Sequence, residues 1–135
     1  MPHPLPFLSF GNPIGIAATQ DMLLLTTYGP GQPAILKATD TGAVSVFAPA
    51  FPIAAAPGQV ETYLDINPGL GPWASKARFV YVTQGKDVFE ITPNGCTVMH
   101  FATIPSAVTT HTGITFDRVG TFNNDMILIP DRQRG

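Results

Sequence analysis

The chain repeats itself, and that constrains its fold more than any other feature. Asp21-Met-Leu-Leu-Leu25 returns as Asp125-Met-Ile-Leu-Ile129, and Phe79-Val-Tyr-Val-Thr83 lies near the midpoint with the same character. The spacing is a period of about fifty residues. Flanking segments repeat in step. Ile35-Leu-Lys-Ala-Thr39, followed by Gly42, Val46 and Phe47-Ala48, is matched by Val88-Phe-Glu-Ile-Thr92, followed by Gly95, Val98 and Phe101-Ala102. Gly15-Ile16-Ala17 returns as Gly113-Ile114-Thr115. A unit this long, made of short runs of β-branched and aromatic residues, reads as up to four antiparallel strands.

The first unit is predicted to hold strands over 14–19, 22–27, 34–39 and 44–48, and the second over 60–66, 78–84, 87–92 and 97–102. Pro93-Asn94-Gly95 and Asp40-Thr41-Gly42 supply the turns between third and fourth strands. Asn-Gly favours a tight hairpin because both residues accept positive φ, and Gly42 serves the looser counterpart. Composition agrees. Gly and Pro number 13 and 14, and charged residues are only 12% of the chain, which starves helices of both continuity and solvated faces. Hydrophobic residues at 44% are ample for a core. The fold class is therefore all-β, with propeller-type repeats of four-stranded antiparallel blades, about two full blades and parts of a third.

The pattern Gly-Ile-Ala, a Leu/Val-rich strand, Ile-x-x-Ala-Thr-Asp-x-Gly and Val-Ser-Val-Phe-Ala resembles the six-bladed propellers of the NHL-repeat and regucalcin/gluconolactonase type. Thr112-Gly-Ile-Thr-Phe-Asp117 and Phe89-Glu-Ile-Thr-Pro-Asn-Gly95 are similar to the inner-strand and hairpin signatures of those proteins. The resemblance implies a central channel lined by inner strands, with ligands at its rim. In the gluconolactonase kind it further implies a divalent cation such as Ca²⁺ on the axis, held by carboxylate and amide oxygens, which activates water or polarises a lactone carbonyl. Asn12, Glu61 and His111 stand at or just before the three inner strands, so they are the first candidates for ligand binding, with Glu61 and His111 the candidate metal ligands. Asp65 and Asn67 lie at the far end of the second inner strand and Asp117 at the far end of the third. The Glu-Gly-Pro-x-Trp opening of that family is absent, and Glu61 stands in Gln-Val-Glu-Thr-Tyr instead.

The third unit supplies two strands, 113–117 and 126–131, and residues 5–10 read as an outermost strand without a blade of its own. Three blades do not close a ring, since propellers have about four to eight. The expectation is a single half-propeller domain over 1–135 whose first 13 residues complete a blade of a partner, two copies making six blades. A closed monomeric sandwich or barrel and a truncated propeller are the alternatives.

Such a chain is expected to act as a binding or interaction scaffold, with a metal-dependent lactonase or related hydrolase as the rival. Trp73, in Pro68-Gly-Leu-Gly-Pro-Trp-Ala74, is either a platform for a sugar or partner, or a loop anchor. Neither Gly29-Pro-Gly-Gln-Pro-Ala34 nor Gly69-Leu-Gly-Pro-Trp-Ala74 leads into the α-helix a dinucleotide site requires. His3, His100 and His111 lack metal-ligand spacing, Cys96 excludes an internal disulfide, and Phe122-Asn-Asn-Asp125 lacks a calcium loop's alternation. With 7 Lys+Arg against 9 Asp+Glu and no basic run, neither nucleic acid nor an anionic membrane is expected as a partner. The opening residues have neither the charge nor the apolar run of a signal peptide, so the expectation is a soluble protein, cytoplasmic or mature secreted.

Overall fold

The computed structural model describes residues 13–27, 35–51, 61–105, 113–119 and the backbone of 127–128. It is all-β, built from propeller-type, blade-like repeats. The first sheet has the order β1 (Pro13–Ala18), β2 (Leu23–Thr27), β3 (Ile35–Ala38), β4 (Val44–Val46). The second has the order β5 (Thr62–Ile66), β6 (Val80–Gln84), β7 (Asp87–Ile91), β8 (Val98–Thr103). Both are antiparallel meanders, and β9 (Thr115–Phe116) pairs with β10 (Ile127–Leu128) as the start of a third unit. Among the described residues the strands do not close into a barrel. The predicted outermost strand over 5–10 lies outside the described residues.

The units meet in sequence order, β5 lying against β1 on one side and β9 on the other. The second sheet is thus enclosed between its neighbours. Its face toward the first sheet carries Leu64, Ile66, Val80, Val82 and Ile91, all buried, against Leu24, Ile35, Phe47, Ala48 and Phe51. The opposite face carries Tyr81 and Val88 against Ile114 and Phe116, with Trp73 and Phe79 beside them. This follows from the period of two along each strand, which sends alternate residues to opposite faces. A fully buried aliphatic side chain contributes about 1.5–3 kcal/mol.

The hairpins show which residue carries each turn. In the β3–β4 turn Gly42 has φ +84° and its N–H donates to the Thr39 carbonyl at 3.0 Å. In the β7–β8 turn Gly95 has φ +76° and donates to the Thr92 carbonyl at 2.8 Å. Asn94 does not share the left-handed conformation expected of an Asn-Gly pair. Instead its Oδ1 accepts from the Thr92 hydroxyl at 2.7 Å and the Cys96 N–H at 3.1 Å, which suits a longer four-residue loop. Cys96 itself is exposed.

The first sheet's last strand is shorter than the predicted 44–48, ending at Val46. Phe47 turns inward, still donating its N–H to the Ile35 carbonyl at 3.0 Å, so that Phe47, Ala48 and Phe51 cover the second sheet. Phe51 meets Phe89 edge-on at 5.2 Å between ring centroids. Between β5 and β6 the chain forms a 3₁₀ helix, Gly71–Lys76, with Pro72 in its first turn and no residue buried. Pro72 fixes φ where no intrahelical N–H is needed, so the Gly69–Ala74 segment leads into about two turns of 3₁₀ helix instead of an α-helix. Among the described residues no helix is long and apolar enough to cross a membrane.

Candidate functional site

The last paired residues before the first turn of each unit are Ala18 with Leu23, Ile66 with Val80, and Phe116 with Ile127. These pairs align the three inner strands: Ile16, Leu64 and Ile114 are equivalent, as are Ala17, Asp65 and Thr115. One place farther on, Thr19, Asn67 and Asp117 leave the strands at the same rim. Of the candidates near the opposite rim, Asn12 and His111 lie outside the described residues. Glu61 is exposed and accepts the Tyr63 hydroxyl's hydrogen bond.

Asp65, buried on β5, is a junction between units. Its Oδ1 accepts the Ile66 N–H at 2.8 Å, while Oδ2 accepts the Phe116 N–H at 2.9 Å and the Thr115 hydroxyl at 3.2 Å. Arg118 completes the set with both terminal nitrogens, Nη1 to Oδ2 at 2.9 Å and Nη2 to Oδ1 at 2.5 Å. Asp65 keeps the Arg118 guanidinium above its ordinary pKa. Asn67 is equally committed: Oδ1 accepts the Gly69 N–H at 2.8 Å, and Nδ2 donates to the Trp73 and Lys76 carbonyls at 3.1 and 2.6 Å. Asp117 Oδ1 accepts the Val119 N–H at 3.0 Å, the same side-chain turn that Asn67 makes.

Trp73 sits inside an aromatic cluster. Its ring meets Tyr81 and Phe116 edge-on, both at 5.5 Å, and lies tilted against Phe101 at 6.1 Å. The 3₁₀ helix is anchored through it to the second sheet and the third unit. Below that cluster Glu90 is buried on β7 between Lys76 Nζ, 2.6 Å from each carboxylate oxygen, and the Tyr81 hydroxyl at 2.5 Å. His100 Nε2 lies on the outer strand β8, 3.0 Å from both Asp87 Oδ1 and the Thr103 hydroxyl.

Fitted against an axial cation, these donors are spent: the oxygens of Asp65 and Asn67 hold the fold together, and no group of three His, Cys, Asp or Glu among the described residues is placed to hold a metal ion. No catalytic step through a metal is derived from them.

A different feature stands at the turn end of the inner strands. An open cleft of about 530 Å³ lies between the β1–β2 turn, the residues leaving β5, and the segment after β9. Thr19, Gln20, Asp21, Asn67, Arg78 and Arg118 are its polar lining, and Ala18, Ile66 and Pro68 its apolar one. Its size is within the range of small-molecule sites, about 300–1,000 Å³. Asp21 and Arg78 hold equivalent positions, each two residues before the second strand of its unit, and they meet across the boundary, Arg78 Nη2 lying 2.8 Å from both Asp21 oxygens. The Thr19 hydroxyl, 2.7 Å from Asp21 Oδ1, and Arg78 hold the Asp21 carboxyl below its ordinary pKa. Arg78 is the only non-glycine among the described residues with positive φ, at +69°. Sequence reasoning passed over Arg78 and Arg118. The available signal was position: Arg78 stands where the first and third units both carry aspartate, Asp21 and Asp125.

Compared with protein-family models, curated proteins and solved structures, the chain gives no match.

Proposed function

We propose that this chain is a non-catalytic binding scaffold, a half-propeller of the kind its repeats resemble, completed into a ring by a second copy. One observation carries the reading. At the equivalent inner-strand positions Leu64 is 5% exposed and Ile114 9%, each seated on the preceding sheet, whereas Ile16 is 65% exposed. The rest of that face of the first sheet is apolar in the same register: Ile16, Leu25, Leu36 and Val46 form one row across the four strands, and Ala18, Leu23, Ala38 and Val44 the next. These rows match the residues with which the second sheet sits on the first, Leu64, Val82 and Phe89 in one row and Ile66, Val80, Ile91 and Val98 in the other. Val98 packs on the core, while its counterpart Val44 is 46% exposed and Val46 43%.

Within these rows Leu25 and Ala38 are buried, and Ile16 and Val44 are the positions the first sheet leaves exposed where their counterparts Leu64 and Val98 pack on a preceding blade. A third unit from a second copy is the occupant whose shape the repeat supplies, and a twofold arrangement satisfies both copies at once. Light scattering on the purified chain tests this: a particle of about 29 kDa, twice the 14.3 kDa chain, is expected, and Ile16→Glu is expected to return it to the single-chain mass. Ile16 is mostly solvated, so that variant retains its fold. A wild-type chain that runs at 14.3 kDa across the concentration range overturns the reading.

A further inference from the structure

The cleft at the turn end of the inner strands holds two guanidinium groups that differ in how they are bound. Arg118 is fixed. Both of its terminal nitrogens lie on the buried Asp65, and Nη2 also donates to the Ile66 carbonyl at 3.2 Å. Its side chain is nonetheless 49% exposed and lines the cleft. Arg78 is held from behind instead. Its own N–H donates to the Asn67 carbonyl at 3.0 Å, and the next N–H, that of Phe79, to the Lys76 carbonyl at 3.1 Å. These two bonds pin the peptides on either side of a left-handed residue, where glycine would sit without strain. An arginine kept in that conformation presents its guanidinium at the cleft.

The partner of Arg78 among the described residues is Asp21, through Nη2 alone. Arg78 and Asp21 side chains are 54% and 65% exposed, and an ion pair this solvated exchanges readily with other anions. We propose that the cleft is a binding site for a small organic carboxylate, received by Arg78 and Arg118, and that Asp21 is a built-in stand-in which the ligand displaces from Arg78.

Three observations favour a carboxylate over phosphate. Both guanidiniums already receive a carboxylate by contacts to both of its oxygens, and Arg118 does so as a two-nitrogen fork. Two arginines and the two aspartates on them sum to zero charge, so a singly charged acid is accommodated at less electrostatic cost than a phosphate dianion. The volume exceeds that of a bare ion, and Ala18, Ile66 and Pro68 supply apolar wall for a carbon skeleton. Gln20 is at hand for a further polar group on the ligand. The inference deepens the binding-scaffold reading and rests on it, yet every residue it uses belongs to one chain. A monomer that binds carboxylate removes the ring and leaves the site; a dimer that does not bind removes the site alone.

The test is an NMR shift titration of the full chain with lactate, propionate and inorganic phosphate at fixed ionic strength, with particle mass read on the same samples. Saturable shifts at the amides of Gln20, Asn67 and Arg78 are expected, with either carboxylate binding more tightly than phosphate. Arg78→Gln is expected to weaken binding about tenfold, the loss of one charge-assisted contact. Asp21→Asn is expected to tighten it, because the variant removes the competing carboxylate while leaving Arg78 in place. The opposite signs separate a ligand site from a purely structural ion pair. No saturation with either carboxylate, tighter binding of phosphate, or a shift of affinity in the same direction in both variants overturns the proposal.

Discussion

Asp65 and Arg118 form a two-nitrogen, two-oxygen ion pair across the boundary between the second sheet and the third unit, with the carboxylate 10% exposed and the guanidinium 49%. The buried partner carries the energetic weight. Asp65→Asn strips the charge that receives the Phe116 N–H and the guanidinium, and Arg118→Ala leaves a carboxylate buried with fewer donors. Each is expected to destabilise the chain by about 2–4 kcal/mol. The double variant is expected to fall short of the sum by about 1 kcal/mol or more, since both act on one contact. Urea unfolding followed by the fluorescence of Trp73, which touches Phe116, reads the effect.

Thr26 and Thr83 occupy equivalent buried positions and invite opposite outcomes. Thr26 Oγ1 accepts the Gly15 N–H at 2.8 Å, whereas Thr83 Oγ1 is buried with no hydrogen-bond partner among the described residues. Thr26→Val is expected to cost about 1 kcal/mol, and Thr83→Val to be neutral or to stabilise by up to about 1 kcal/mol. Chemical denaturation of the two single variants provides the comparison.

Gly95 has no tolerated replacement. A Cβ there would lie 1.8 Å from the Phe47 carbonyl oxygen, and φ is +76°. Gly95→Ala is expected to be among the most destabilising single changes, about 3 kcal/mol or more, because backbone and not a side-chain tip must move. Gly42→Ala, which has the φ of +84° alone to contend with, is expected to cost about 1–2 kcal/mol. Thermal melts of the two variants rank them.

Alkaline pH acts through two phenols. The hydrogen bond to Glu61 pushes the Tyr63 hydroxyl from its ordinary value of 10.0 up to about 12, and burial together with Glu90 raises Tyr81 further. An unfolded tyrosine releases its proton near pH 10, so above that pH the unfolded chain binds fewer protons than the folded one. The contribution is therefore complete below the unfolded value and is lost as pH rises toward the folded one. Urea midpoints are expected to fall between about pH 10 and pH 12, and phenolate absorbance to lag behind that of free tyrosine. Glu61→Gln is expected to return Tyr63 toward its ordinary value.

Much of the fold was legible because each strand carries its own local signal. Val88-Phe-Glu-Ile91 alternates between two faces, and the glycines at 42 and 95 sit where the chain must turn back. The predicted spans end within two residues of the observed ones for all eight strands in the two sheets, and β4 stops two residues early because Phe47 turns inward. The site was less legible. Asp65 stands out against Ala17 and Thr115 at the same inner-strand position, yet nothing local joins it to an arginine in the next unit. That pairing depends on how β5 lies beside β9. Arg78 gave no residue-type signal at all, because its left-handed backbone is a conformation that sequence reasoning assigns to glycine.

The enclosed position of the second sheet has a consequence for hydrogen exchange. Along β6 Val80, Tyr81 and Val82 are 0% exposed and Thr83 1%, covered by the first sheet on one side and the third unit on the other. Amides in this strand have no route to solvent through the fraying of either neighbour alone. Their exchange therefore clocks the opening of the whole molecule, while amides of β1 and β4, the end strands of the first sheet, report local breathing.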